Sequence, residues 1–264
     1  MHRLIRALGR NWLRTLCDLG GVALLAVAAF RRLFRRPLEG RLAIREMTMI
    51  GWESANVVAI LGLFTGMVLV VQLGQTLERL GAELYVSEGV ALAMVRELGP
   101  VLAGFLIAGR VGSGIAAEIG SMQISEQIDA MRSLGADPLK KLVLPKVMAA
   151  FLGLPLLTAL ANALGILGGM VMAATMLSIP PYQYMGRVLE KIQLGDFASG
   201  VCKTAVFGVI IVLVASYFGF RTSGGTVGVG QSATRSVVLS CILILIADLL
   251  IISALFAIGG IMNT

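Results

Sequence analysis

The residues equipped for chemistry are few. The one histidine, His2, stands at the N-terminus, and the three cysteines, Cys17, Cys202 and Cys241, have no metal-ligand spacing. A zinc or haem centre needs more donors than these. Cysteines scattered through or beside apolar stretches do not build a disulfide framework either. Gly225-Thr-Val-Gly-Val-Gly-Gln-Ser232 has the glycine spacing of a phosphate-binding loop. However, Gln231 stands where the phosphate-binding lysine is required, and no strand precedes it. The segment reads as a flexible loop, and no other stretch offers an ATPase motif. No nucleophile–base set is evident. ATP-driven work by this chain therefore requires an ATPase on another chain.

What remains are charges inside apolar runs: Arg96 and Glu97 just before Gly99-Pro100, Arg110 deeper along the same run, Glu118 at its end, and Asp248 in the last run. A charge at membrane depth costs about 2.5–3.5 kcal/mol on insertion scales, so such residues face a bundle interior, a partner or water. Arg96 and Glu97 have two readings. They form a polar element at a cavity mouth or partner contact, or else a structural ion pair or snorkelling side chains near the interface. Arg110, Glu118 and Asp248 are each expected to be paired inside the bundle, with partners the sequence does not name.

The elements that must position these charges follow from composition. Of 264 residues, 57% are hydrophobic and 14% charged, with a mean hydropathy of +0.89. Soluble domains carry about a quarter charged residues, so most of this chain uses lipid as solvent. The net charge of +7 reads as membrane topology and not as a nucleic-acid signal. Ten of the 22 Lys and Arg fall in residues 1–46, on both sides of a short apolar stretch, Leu19 to Phe30. That stretch is too short to span. It predicts an interfacial helix with Trp12 as an anchor. A cleaved signal peptide is disfavoured by the following arginines and the missing cleavage site.

Five spans are expected, over about 57–77, 89–117, 142–179, 197–220 and 237–258, with a short amphipathic helix within 183–196. The basic clusters alternate across them, which puts the N-terminus in the cytoplasm and the C-terminus outside. Gly62-x-x-x-Gly66, Gly165-x-x-x-Gly169 and the ridge Ala108, Gly112, Ala116 and Gly120 allow close helix contacts, with packing inside one chain as the simpler reading. Between the second and third spans, residues 125–136 read as a capped amphipathic helix. Ser125 would be the N-cap, with Glu126 in the first turn, Ile128, Met131 and Leu134 on one face, and Gly135 and Pro138 at the stop. A helix this short is marginal alone and requires a docking surface.

Arg96-Glu-Leu-Gly-Pro-Val-Leu, Ala108-Gly-Arg-Val-Gly-Ser, Ala117-Glu-Ile-Gly, Glu126-Gln-Ile-Asp-Ala-Met, Asp137-Pro-Leu and Thr234-Arg-Ser-Val-Val resemble, in order, the MlaE permease family. These are membrane subunits of ABC transporters associated with MCE proteins. The resemblance covers nearly the whole chain. It implies an all-α integral membrane protein with an N-terminal interfacial elbow (1–46) and a permease domain (47–264) of five transmembrane helices. It implies a homodimer and a cytoplasmic ATPase dimer carrying ATP and Mg, docked on a coupling helix. Glu126, Gln127, Ile128, Asp129, Ala130, Met131, Arg132, Leu134 and Gly135 are the coupling residues. A periplasmic MCE-domain hexamer, often a STAS-domain subunit, and phospholipid as cargo complete the expectation, with maintenance of outer-membrane asymmetry as the outcome. The cofactors belong to the partner.

By this resemblance and by i, i+4 spacing, Leu69, Leu73, Leu77 and Leu80, with Thr76, are expected to line an acyl-chain pocket, with Arg96 and Glu97 beside it. Periodicity alone favours contact with lipid or neighbouring helices. Arg14, Arg45 and Arg235 are expected around lipid phosphates at the cytoplasmic interface. The expected cycle is ATP-driven closure that pushes through the coupling helix and collapses the pocket. Two rivals are an ion-coupled transporter using Arg96, Glu97, Arg110 and Asp248 as a relay, and a structural membrane anchor. Five spans without an internal repeat weigh against the first.

Overall fold

The computed structural model describes residues 2–33 and 40–262; the side chains of residues 2–12, 14, 15, 33, 40, 41, 256 and 258–262 lie outside the described set. Among the described residues the chain is helical with short turns and contains no strand. Five helices are long and apolar enough to cross a membrane: Leu42–Glu78, Glu83–Ile124, Leu139–Met176, Leu194–Phe220 and Gly225–Leu255. They are the first to fifth spans below. An N-terminal helix (His2–Leu33) precedes them, a loop helix (Gln127–Ser133) joins the second and third, and an outer helix (Pro181–Lys191) precedes the fourth.

Each span is longer at one or both ends than hydropathy alone suggests, because apolar length marks lipid while helix length also includes the wet turns beyond it. The loop expected at 225–232 is a correction: these residues are the first turns of the fifth helix, Gly225–Met262. Gly224 and Gly225 keep positive φ at the turn. Gly228 lies so close to the Ser223 carbonyl that a Cβ would meet it at 1.8 Å. The glycines serve a crowded reversal, not flexibility.

The first and third spans touch backbone to backbone. A Cβ on Gly66 would lie 1.8 Å from the Gly165 carbonyl oxygen, and one on Gly62 would lie 2.5 Å from that of Ala161. Both small-residue pairs are therefore used inside one chain, where close approach replaces the missing hydrophobic drive. The ridge on the second span is likewise internal: Gly112 faces Ile211, Gly120 faces Thr222, and Ala116 and Ile119 meet Gly219. Arg31, Arg32, Arg45, Arg132, Lys140, Lys141, Arg221 and Arg235 collect at one end of the bundle, called here the arginine-rich end. Odd span number places the two ends of the span series on opposite sides. Val22 and Ala29 of the N-terminal helix are buried against this end, while Leu16, Leu24, Val27 and Phe30 are exposed. That is the division an interfacial helix needs. At the other end Tyr184 of the outer helix is fully buried among Val70, Val86 and Val90, and burial raises its phenol pKa.

Candidate functional site

The second span carries two turns of π-helix, Met94–Leu98 and Ala108–Gly112. Each holds charges that the sequence places at membrane depth. Pro100 has no N–H to give to the turn behind it, and π turns are often found at functional sites. The first π turn sets Arg96 and Glu97 on different partners. Arg96 reaches Asp196, with Nη2 at 2.7 Å from Oδ1. Asp196 is itself fixed by a capping box with Gln193 at the start of the fourth span.

Glu97 reaches a residue that hydropathy passes over. Lys203, in the fourth span, has only 3% of its side chain exposed. Its Nζ lies 3.1 Å from Glu97 Oε2 and 2.7 Å from Asp248 Oδ1. It donates a hydrogen bond to Glu97, whereas the Asp248 approach is an ion pair without hydrogen-bond alignment. The second, fourth and fifth spans thus meet on one buried ammonium between two carboxylates. Asn162 of the third span lies against Gly99, buried, with neither side-chain polar atom hydrogen-bonded.

A second knot of the same composition lies toward the arginine-rich end. Lys146 of the third span has 4% side-chain exposure. Its Nζ donates at 2.9 Å to both oxygens of Glu46 and at 2.9 Å to Glu118 Oε2. Between the knots, Arg110 donates to Ser54 Oγ at 2.9 Å and lies 3.5 Å from Glu53. Arg110, Glu118 and Asp248 are therefore all paired.

The expected acyl-pocket residues are divided. Leu69, Leu73 and Leu77 are partly buried against Val70, Val90 and Met94 within one chain. Thr76 and Leu80 instead line a shallow recess of about 380 Å³ with Gln75 and Arg79. Neither Arg96 nor Glu97 lines it. The stripe is split because the second span packs against the leucines one turn apart but leaves the end of the first span free.

The loop helix also differs from expectation. It runs Gln127–Ser133 and not 125–136. Ser125 ends the second span, its Oγ donating back to Ser121 O, because Glu126 takes a left-handed φ of 57° that breaks the helix there. Gly135, at φ 74°, makes the expected stop, with Ala136 N–H donating to Met131 O. Ile128 is buried, Met131 is half-buried and Leu134 is 85% exposed. The apolar face is therefore shared between the bundle and an open surface. Asp129 pairs with Arg132. Arg32, at the end of the N-terminal helix, binds Asp137 just after the loop helix. Arg32, Arg132, Gly135 and Asp137, with Pro138 and Phe220, line a recess of about 540 Å³. Of the three arginines expected around phosphates, Arg45 and Arg235 are exposed and unpaired among the described residues; the side chain of Arg14 lies outside them.

Lys203 and Lys146 are what sequence reading missed. The available signal was charge balance: three intramembrane acids needed bases, and these were the lysines inside apolar runs.

Comparison with known proteins gives a family match, "Permease MlaE", over residues 43–254. A "Probable ABC transporter permease protein" of Rickettsia bellii is 38% identical over 96% of this chain and 98% of its own length. The "Intermembrane phospholipid transport system permease protein MlaE" of Haemophilus influenzae is 31% identical over 83% of this chain and 84% of its own. "Protein TRIGALACTOSYLDIACYLGLYCEROL 1, chloroplastic" of Arabidopsis thaliana is 34% identical over 90% of this chain and 68% of its own.

Proposed function

The chain belongs to the MlaE permease family, and from that premise we propose that it moves phospholipid, as an ABC transporter permease, between the inner membrane and a periplasmic MCE-protein channel. The family match across all five spans carries this reading. Residues 1–46 form the interfacial elbow and 47–264 the permease domain, with the arginine-rich end in the cytoplasm and the C-terminus in the periplasm. The functional unit is a homodimer. It binds a cytoplasmic ATPase dimer that holds ATP and Mg, a periplasmic MCE hexamer and a STAS-domain subunit, and it maintains outer-membrane lipid asymmetry.

The loop helix is the ATPase-coupling element. Arg132 within it, and Glu126 and Leu134 at its two ends, are exposed at the arginine-rich end, where a cytoplasmic partner docks. Acyl chains sit at the opposite end, against Leu69, Leu73, Leu77 and Leu80 with Thr76, where a second copy converts the shallow recess into a closed pocket. Arg96 and Glu97, outside the recess of one copy, stand beside the pocket, and Arg14, Arg45 and Arg235 meet headgroup phosphates on the cytoplasmic face. ATP-driven closure pushes on the loop helix, brings the two copies together and expels lipid.

The test is purification in mild detergent with identification of co-purifying proteins and lipids. An ATPase, an MCE protein and phospholipid arriving together support the reading. A chain that arrives without an ATPase, even after crosslinking in membranes, overturns it. One observation favours a second reading. The Glu97–Lys203–Asp248 knot resembles the buried ionisable groups of proton relays, and an ion-coupled carrier would transport without nucleotide under a proton gradient.

A further inference from the structure

We infer that Lys146 is a positioning residue and that its bond to Glu118 is a releasable latch, carrying motion of the loop helix to the first span. The inference rests on the transport reading above. Lys146 lies near the arginine-rich end, where a lysine ordinarily extends its ammonium to water. Here it turns inward to acids on two other elements, Glu46 near the start of the first span and Glu118 near the end of the second.

One carboxylate would neutralise it, and the second makes a choice available. The two bonds are unequal. Glu46 holds Nζ with both oxygens and is 19% exposed; Glu118 holds it with one oxygen and is 50% exposed. If the second span shifts, Lys146 keeps Glu46 and is never left as an uncompensated buried charge, while Glu118 rehydrates at its open side. Releasing Glu46 would do the reverse and strand a shielded carboxylate.

The position of the latch gives it a use. The loop helix hangs between the residues it joins: Glu118 precedes it on the second span and Lys146 follows it on the third. A push on the loop helix loads both at once. The third span is packed backbone to backbone with the first through Gly62, Gly66 and Gly165, and Glu46 fastens the root of the first span to the same ammonium. Closed, the latch moves the second span with the first and third together. Open, it lets the second span slide along them.

The test uses the complete complex, with its co-purified ATPase, in proteoliposomes, and reads phospholipid transferred per ATP hydrolysed. Glu118→Gln takes away the charge that holds the latch closed and leaves Lys146 paired with Glu46. ATP hydrolysis stays within about twofold of the parent while lipid per ATP falls about tenfold, as expected for the loss of coupling between two sites. Lys146→Arg, which keeps both bonds possible, retains most of the parent ratio, and Lys146→Met does not. An unchanged ratio in Glu118→Gln overturns the latch, as does a parallel fall in hydrolysis and transfer, which would mark a structural role. If the parent complex itself moves no lipid with ATP, the transport reading fails and the latch falls with it.

Discussion

Lys203 and Lys146 solve the same problem toward opposite ends of the second span, and what separates them is the end at which each sits and the spans it ties. Each is a buried ammonium between two carboxylates. Lys203 ties the second span to the fourth and fifth, with Asp248 shielded and Glu97 partly open to solvent. Lys146 ties it to the first and third within reach of the arginine-rich end, where Glu118 is half open to solvent. The twenty-one residues from Glu97 to Glu118 correspond to about 31 Å of helix. The second span is thus a rod pinned twice, and the pin near the end that feeds the loop helix is the one a push on that helix loads.

The largest effect that would break this comparison is expected at Lys203. Lys203→Met leaves two carboxylates without a base, and breaking a buried ion pair from one side costs about 3–5 kcal/mol. The detergent-solubilised complex should melt well below the parent. Adding Glu97→Gln and Asp248→Asn should recover most of the loss, since the stranded charges are then gone. A single variant that melts like the parent would show that water reaches the knot.

Lys146→Met should cost a comparable amount, because it too strands one shielded acid, Glu46, beside a half-open one, Glu118. A loss at Lys146 far below that at Lys203, measured by the same melting curves, would show that the two knots are not equivalent. Gly66→Ala tests the body that Lys146 holds. Its Cβ would meet the Gly165 carbonyl at 1.8 Å, so the first and third spans must separate at about 1–3 kcal/mol, as for an overpacked core. The smallest effect belongs to Arg32→Ala, whose half-exposed pair with Asp137 is worth about 0.2–1 kcal/mol. Raising salt from low ionic strength should erase that difference and weaken the Glu118 link while leaving Lys203 and Asp248 unaffected, because screening acts on exposed pairs.

The sequence made some of this visible and hid the rest for physical reasons. Span number followed from apolar length, and the glycine pairs announced close packing, though not that Gly66 would meet Gly165. Arg96, Glu97, Arg110 and Asp248 stood out as isolated charges. Lys203 and Lys146 did not, because each lies within about two to three turns of a span's start, where a lysine reads as a boundary that snorkels to water. Their partners are about a hundred residues away for Glu97 and Glu46, and helical periodicity carries no information across that distance. The glycines of 225–232 misled in the other direction, since the same residues suit a flexible loop and a crowded helix start. Ser125 had the chemistry of an N-cap, yet the left-handed Glu126 one residue later moved the break past it.

The most direct test of the account is lipid transfer from proteoliposomes containing the purified complex, with ATP, with a non-hydrolysable analogue, and with an imposed proton gradient in place of nucleotide. The account predicts phospholipid transfer that requires ATP hydrolysis and ignores the gradient. Transfer driven by the gradient without nucleotide would contradict it and would make the Lys203 knot an ion path instead of a pin.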